Sequence, residues 1–178
     1  MTAMENDVLD GGRPTADPRP LAVAAQALIA AQTVAQSVSS ARYASVSVAL
    51  FVAAVVVFLC WFRRCRLNAE VFAPGTHRYA PGFAVGGWFI PVAMWWIPRR
   101  TALDIWRASG PAGGEWLINA WWVAWLAKAV GTATAHQFAS RPGGSFLYDQ
   151  VTGVVVGVLA ILVIGRVTAR QHAGDHES

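Results

Sequence analysis

The chain has 178 residues, of which 55% are hydrophobic and only 13% are charged, whereas soluble domains average roughly 25% charged residues. Lysine and arginine outnumber aspartate and glutamate by 14 to 10, but the arginines adjoin apolar runs and do not form the basic face of a nucleic-acid-binding protein. The composition therefore predicts a membrane protein without a nucleic-acid partner.

The chain begins with a polar tail and an uncharged, alanine-rich segment. Residues 1–18 are rich in glycine, proline and aspartate, which is typical of a disordered tail. We predict that residues 20–41 form the first span, because about 20 apolar residues cross the hydrocarbon layer. The alternative is a cleaved signal peptide with small residues at its end, but the long acidic leader lacks the basic start of a signal peptide.

The second predicted span, residues 44–62, is uncharged and ends on Trp61 and Phe62, directly before arginines. Aromatic and basic residues at this position are typical of a membrane interface. Cys60 and Cys65 lie too close together in such a segment to indicate a disulfide framework. We expect Cys60 to pack in the apolar run and Cys65 to be an exposed, reduced thiol.

Residues 82–98 are apolar but do not resemble a continuous span. Glycines at 82, 86 and 87 and a proline at 91 interrupt the segment, and proline breaks the hydrogen-bond ladder of a helix. Tryptophans at 88, 95 and 96 are suited to the headgroup region. We predict an interfacial or re-entrant segment in the loop between spans two and three.

The middle of the chain, roughly Phe58 to Ser109, carries a family resemblance. It contains the runs "FLCWFRRCRLNAE", "PGFAVGGWFIPVAMWWIP" and "LDIWRAS". These runs resemble a bacterial membrane family, domain of unknown function 4328, whose pattern is matched by Trp61, Arg64, Asn68, Trp88, Pro91, Pro98, Asp104, Trp106 and Arg107. The resemblance implies a four-helix integral membrane domain without an assigned activity, and it marks these positions as candidate interfacial or functional residues. Met94 and Ile97 depart from the family pattern, which often has an asparagine and a basic residue there.

The third predicted span, residues 116–135, contains a lysine. Lys128 lies about 18 Å along the helix axis from Trp116, and an unpaired ammonium at that depth costs on the order of 3 kcal/mol. One interpretation is a buried charge in a substrate or ion path, facing Asn119, a glutamine of the first span, or Asp149. The other is a lysine that extends toward the outer headgroups.

The fourth predicted span, residues 150–165, is followed by a polar segment, 167–178, that we expect to be a disordered tail. Small residues recur in the last two spans at Gly131, Gly153 and Gly157. Such spacing lets membrane helices approach closely. We therefore predict that spans three and four pack together within the fold or across a homodimer.

The arginines predict the orientation of this four-helix membrane domain, residues 19–166. Eleven arginines lie in or beside the tails and the long middle loop, whereas only Arg42 and Arg141 lie in the two opposite loops. Cytoplasmic loops of membrane proteins carry this basic excess. We therefore predict an all-α, multi-pass protein of the cell (inner) membrane with both termini in the cytoplasm and the segment 82–98 on the same side.

The sequence contains no recognisable catalytic constellation. The four histidines are scattered, and we predict no bound cofactor or metal. The leading hypothesis is a non-enzymatic interaction or regulatory component whose basic, tryptophan-rich cytoplasmic face contacts anionic lipid headgroups or another membrane protein. The alternatives are a small transporter or channel subunit built around Lys128 and a haem- or quinone-linked membrane enzyme.

Overall fold

The computed structural model describes residues 15–37, 44–138 and 144–175, and these residues form helices and connecting turns without a strand. The predicted all-helical fold class is confirmed. The elements in chain order are α1 (Arg19–Ser37), α2 (Ala44–Phe72), α3 (Phe83–Gly86), a 3-10 turn (Ala93–Trp95), α4 (Ile97–Ala108), α5 (Trp116–Phe138) and α6 (Gly144–Asp175).

The four long helices pack as neighbours. α1 lies against α2 and α6, and α5 lies against α6. Small side chains allow the close approach of α1, since Ala22 and Ala25 are buried. The amide of Gln26 adds a bond between helices by donating from Nε2 to the carbonyl oxygen of Ile161 at 3.0 Å.

Two helices among the described residues are long and apolar enough to cross a membrane, Ser45–Phe72 and Leu147–Ala173. Only 17% and 33% of their most apolar windows are buried inside the protein, so most of their valines and leucines face outward. Soluble proteins rarely expose apolar surface of this extent. The crossing of the bilayer by α1 and α5 stays a prediction.

Two helices extend beyond the spans that the sequence indicates. α2 continues past Phe62 to Phe72, and α6 continues to Asp175. The prediction of a disordered tail from residue 167 is therefore wrong up to Asp175, while residues 176–178 and 1–14 lie outside the described residues. The physical reason is that Val167, Thr168 and Gln171 lie on one buried face of the helix and pack inside the protein. On α2, the expectation for the cysteines is also wrong, because Cys60 is exposed and Cys65 is buried.

Helix α4 packs against α2 and α5 and closes one end of the bundle. We call it the arginine-rich end, because the ends of α2 and α6 and helix α4 place arginines there, namely Arg63, Arg64, Arg66, Arg99, Arg100, Arg107, Arg166 and Arg170. The sequence analysis did not predict this helix. Pro98 stands in its first turn, where proline needs no backbone donor and has a suitable backbone angle. Its inward face buries mostly apolar residues, namely Ile97, Pro98, Thr101, Ala102, Leu103, Ile105 and Trp106.

Candidate functional site

Trp88 is the residue of the segment 82–98 whose side chain packs between the long helices. Its ring lies edge-on to Phe58 of α2 and to Trp125 of α5, with centroids 5.8 Å apart in both cases. Trp95 and Trp96 remain 40% and 43% exposed. The three tryptophans that the sequence assigns to the interface therefore have two different environments.

Beside Trp88 lies a cavity of about 370 Å³, which we call the aromatic chamber. Its walls come from α1, α2, α5, α6 and the segment around Trp88, and they are mostly apolar. The residues that line it are Ile29, Gln32, Thr33, Gln36, Phe51, Ala54, Val55, Phe58, Leu59, Trp88, Phe89, Trp121, Trp125, Lys128, Gly153, Val156, Gly157 and Ala160. Its volume falls in the range of small-molecule pockets.

A second, polar cavity of about 330 Å³ adjoins the chamber, and we call it the vestibule. The chamber and the vestibule share Gln36 and Lys128 as wall residues, and the other vestibule residues are Thr132, Asp149 and Gln150. An apolar recess thus leads into a polar one. The sequence analysis did not find this site, although Gln32 and Gln36, one helical turn apart in an alanine-rich helix, were a signal of it.

Lys128 is paired with Asp149. Its Nζ donates to the backbone oxygen of Asp149 at 3.1 Å and lies 3.7 Å from the carboxylate Oδ1. The hydroxyl of Thr132 donates to the same Oδ1 at 2.6 Å. Asp149 is one of the partners that the sequence analysis considered, whereas Asn119 instead accepts hydrogen bonds from Arg99.

The glycines predicted to allow helix packing lie on two different contacts. A Cβ at Gly131 would overlap the ring and hydroxyl of Tyr148 on α6. A Cβ at Gly157 would meet Thr33 Oγ1 of α1 at 2.7 Å, and one at Gly153 would meet Gln36 Oε1 of α1 at 2.9 Å. Gly131 therefore faces α6, while the pair on α6 faces α1.

Trp61 and Asn68, two positions of the family pattern, lie in a buried hydrogen-bonded seam between α2 and α6. The indole Nε1 of Trp61 donates to Thr168 Oγ1 at 3.1 Å. Gln171 accepts from Asn68 Nδ2 at 3.3 Å and donates to the backbone oxygen of Cys65 at 2.9 Å. These contacts give both residues a structural role inside the protein.

The arginines of the family pattern and its neighbourhood are bonded to the protein. Arg64 donates to the backbone oxygen of Asp17 at 2.9 Å, and Arg107 donates twice to Glu115, at 2.8 and 3.0 Å. The hydrogen bond from Arg107 lowers the pKa of Glu115. The guanidinium of Arg170 lies over the Trp106 ring at 3.8 Å, a favourable cation–π geometry.

The remaining positions of the pattern lie on the connection around α4. Pro91 is exposed in the turn before the 3-10 element. Trp106 donates from Nε1 to the backbone oxygen of Gly113 at 2.8 Å. Asp104 accepts from the backbone N–H of Arg78 at 3.5 Å.

His77 is enclosed at the arginine-rich end, in the loop between α2 and α3. Its side chain is 2% exposed, and Nδ1 lies 3.4 Å from Glu70 Oε2, which also accepts from Arg66. Burial lowers the pKa of His77, and the charge of Arg66 lowers it further, against the opposite effects of Glu70 and Asp104. The loop residues gave no signal of this burial.

We expect acid to destabilise the protein through His77. Because the folded pKa lies below the ordinary value of 6.5, the unfolded state binds the proton more readily, and stability falls as the pH drops below that value. The loss is at most roughly 1.4 kcal/mol per pH unit between the two pKa values. Thermal unfolding should be measured above pH 6.5 and below the lowered pKa of His77. The loss of stability between these two pH values should be smaller in His77→Gln than in the unsubstituted protein. An equal effect in both would contradict the assignment.

The described residues define an all-helical protein with two strongly apolar helices and an aromatic chamber between its long helices. The family model for Domain of unknown function (DUF4328) matches residues 19–169, and the chain belongs to this family. The resemblance drawn from the central motifs is thereby confirmed. No curated protein and no solved structure matches the chain significantly.

Proposed function

We propose that the protein is a multi-pass, non-enzymatic membrane component that contacts anionic lipid through residues 83–96. The observation that supports this is an exposed apolar run, in which Phe89 and Val92 are 69% and 65% exposed and Ile90 is 44% exposed. Large apolar side chains in this arrangement are costly in water and favourable at the boundary between headgroups and acyl chains. The exposed indoles of Trp95 and Trp96 belong to the same surface.

Arg100 follows this segment by four residues, and Arg63 follows Phe62, whose ring lies 6.4 Å from that of Trp88. Arg63 and Arg100 are exposed, and each basic residue near an anionic leaflet contributes about 1 kcal/mol of attraction. The excess of arginine at this end supports its location at the cytoplasmic leaflet, because the cytoplasmic loops of membrane proteins carry more basic residues than the loops on the opposite side. Partner proteins could use the same surface, and lipid is the occupant that its mixture of apolar, indole and guanidinium groups supports best.

Cysteine labelling tests the depth of the segment. In a Cys60→Ser background, we expect Arg100→Cys to react with a membrane-impermeant maleimide only in inside-out vesicles, because position 100 faces the cytoplasm. We expect Val92→Cys to react in neither vesicle type until detergent is added, because lipid covers position 92. Rapid labelling of Val92→Cys without detergent would contradict insertion, and labelling of Arg100→Cys in right-side-out vesicles would contradict the orientation.

A matched variant tests the lipid charge. In nanodiscs, a higher fraction of phosphatidylglycerol over phosphatidylcholine should slow the labelling of Val92→Cys. The same change should have little effect once Arg63→Gln and Arg100→Gln are added, since the attraction to the leaflet is then reduced. Equal slowing of the labelling in both proteins would show that Arg63 and Arg100 do not attract the segment to anionic lipid.

A small transporter or channel subunit is the second candidate. The observation in its favour is that the aromatic chamber and the vestibule have Gln36 and Lys128 as common wall residues. Intramembrane charges often mark such paths. Substitution at Lys128 separates this candidate from the first, as argued in the Discussion.

A further inference from the structure

The aromatic chamber contains two buried polar atoms that have no hydrogen-bond partner in the part of the chain that the structure describes. They are the side-chain oxygen Oε1 of Gln32 and the indole nitrogen Nε1 of Trp88. Gln32 as a whole is only 9% exposed. Buried polar atoms in proteins are nearly always hydrogen-bonded. Gln32 and Trp88 both line the chamber, so a change of their side-chain rotamers would present one acceptor and one donor to a molecule in it.

The walls around these two atoms fit an apolar body. Phe58, Trp121 and Trp125 present aromatic surface, and Ile29 and Val55 add branched aliphatic surface. Four small residues also line the chamber, namely Ala54, Gly153, Gly157 and Ala160. Sites of this composition, with few polar groups on mainly apolar walls, bind small lipophilic molecules.

The charges next to the chamber are balanced. Lys128, which lines both cavities, is paired with Asp149, and Asp149 Oδ1 also accepts from Thr132. An anionic ligand would have to separate this ammonium from its carboxylate in surroundings of low dielectric constant. An uncharged ligand requires no such separation.

We propose that the aromatic chamber binds an uncharged amphipathic lipid whose polar group carries a hydroxyl and a carbonyl. The hydroxyl donates to Oε1 of Gln32, and the carbonyl accepts from the indole N–H of Trp88. The hydrocarbon part lies against Phe58, Trp121 and Trp125. The site shares Trp88 and Phe89 with the exposed segment 83–96, but it does not require that segment to contact anionic lipid.

Quenching of tryptophan fluorescence tests this site in the full chain, reconstituted in phosphatidylcholine nanodiscs. The probe is a dibrominated monostearoylglycerol, since bromine quenches indoles that it contacts. We expect saturable quenching at a low mole fraction. We expect dibrominated stearate and a dibrominated alkane to bind roughly tenfold more weakly, because the stearate is charged and has no hydroxyl, and the alkane has neither a hydroxyl nor a carbonyl. Tighter binding of the stearate would overturn the choice of an uncharged ligand.

Matched variants locate the binding. Val156→Phe adds a ring to the chamber wall, whereas Val158→Phe adds the same ring on the same helix at a position that is 50% exposed. Saturable quenching should be lost in Val156→Phe and retained in Val158→Phe. Equal, non-saturable quenching in both variants would show only contact with bulk lipid and would overturn the proposal.

Two further variants keep the test decisive if Val156→Phe does not fold. Gln32→Leu and Trp88→Phe each remove one polar partner while retaining most of the apolar volume, and each should weaken the binding of the monoacylglycerol probe roughly tenfold. Binding of the alkane probe should not weaken in either. Unchanged affinity for the monoacylglycerol in both variants would contradict the assigned hydrogen bonds.

Discussion

Replacement of Gly131 by alanine lowers the free energy of unfolding by about 1–3 kcal/mol, the usual cost of overpacking. Helix propensity alone predicts the opposite sign, because alanine is favoured over glycine inside a helix by about 1 kcal/mol. The packing effect dominates since the new Cβ would overlap the ring of Tyr148, whose hydroxyl donates to the backbone oxygen of Ala127. Equilibrium unfolding in mild detergent measures the difference.

A double-mutant cycle assigns this loss to one contact. Tyr148→Ala added to Gly131→Ala should restore part of the stability, because residues in contact do not contribute independently. Gly165→Ala is the matched control on α6, since its Cβ would meet only the flexible amide of Gln26, at 3.2 Å. If Gly131→Ala and Tyr148→Ala changed the free energy of unfolding additively, Tyr148 would not contact Gly131. If the two substitutions were non-additive only when they lay on different copies of the chain in a mixed oligomer, the contact would lie between two copies.

Replacement of Lys128 by methionine should also destabilise the protein, by about 1–3 kcal/mol. Among the residues that the structure describes, removal of the ammonium leaves the Asp149 carboxylate with Thr132 as its remaining side-chain partner. An unpaired charge in a partly buried site is unfavourable. The side chains are 29% and 36% exposed within the protein, so the effect should be smaller than for a fully buried pair. Thermal unfolding in nanodiscs provides the measurement.

The double variant Lys128→Met with Asp149→Asn should be more stable than the sum of the two single losses predicts, because it removes both charges together. If Lys128→Met alone stabilised the protein, the lysine would be a destabilising residue whose side chain extends toward the headgroups. If the protein is a transporter, the stable double variant should fold and carry no flux. Undiminished flux would exclude the pair from a transport path.

The fold class followed from the sequence because uncharged apolar runs allow little besides helices in a membrane-like chain. The ends of α2 and α6 did not follow. Hydropathy averages over all faces of a helix, and the segments after Phe62 and Gly165 are polar except on one side. Their burial depends on partners more than a hundred residues away, such as the bond from Gln171 to Cys65.

The candidate site was only partly accessible to sequence reasoning. Lys128 is conspicuous in an apolar run, and its pairing with Asp149 was one of several alternatives. The inward position of Trp88 was not distinguishable from the exposed positions of Trp95 and Trp96, because tryptophan suits both an interface and a core. The aromatic chamber could not be predicted, since its walls come from four helices and the segment around Trp88, which meet only in three dimensions.

The lengths of α2 and α6 have a consequence for the proposed membrane placement. At 29 and 32 residues, the two helices extend about 43 and 48 Å, well beyond a hydrocarbon thickness of about 30 Å. In this placement, the seam from Trp61 and Asn68 to Thr168 and Gln171 joins them near the point where they would leave the layer. We therefore expect a thinner or thicker bilayer to tilt the two helices together, and α4, which packs against α2, to move with them.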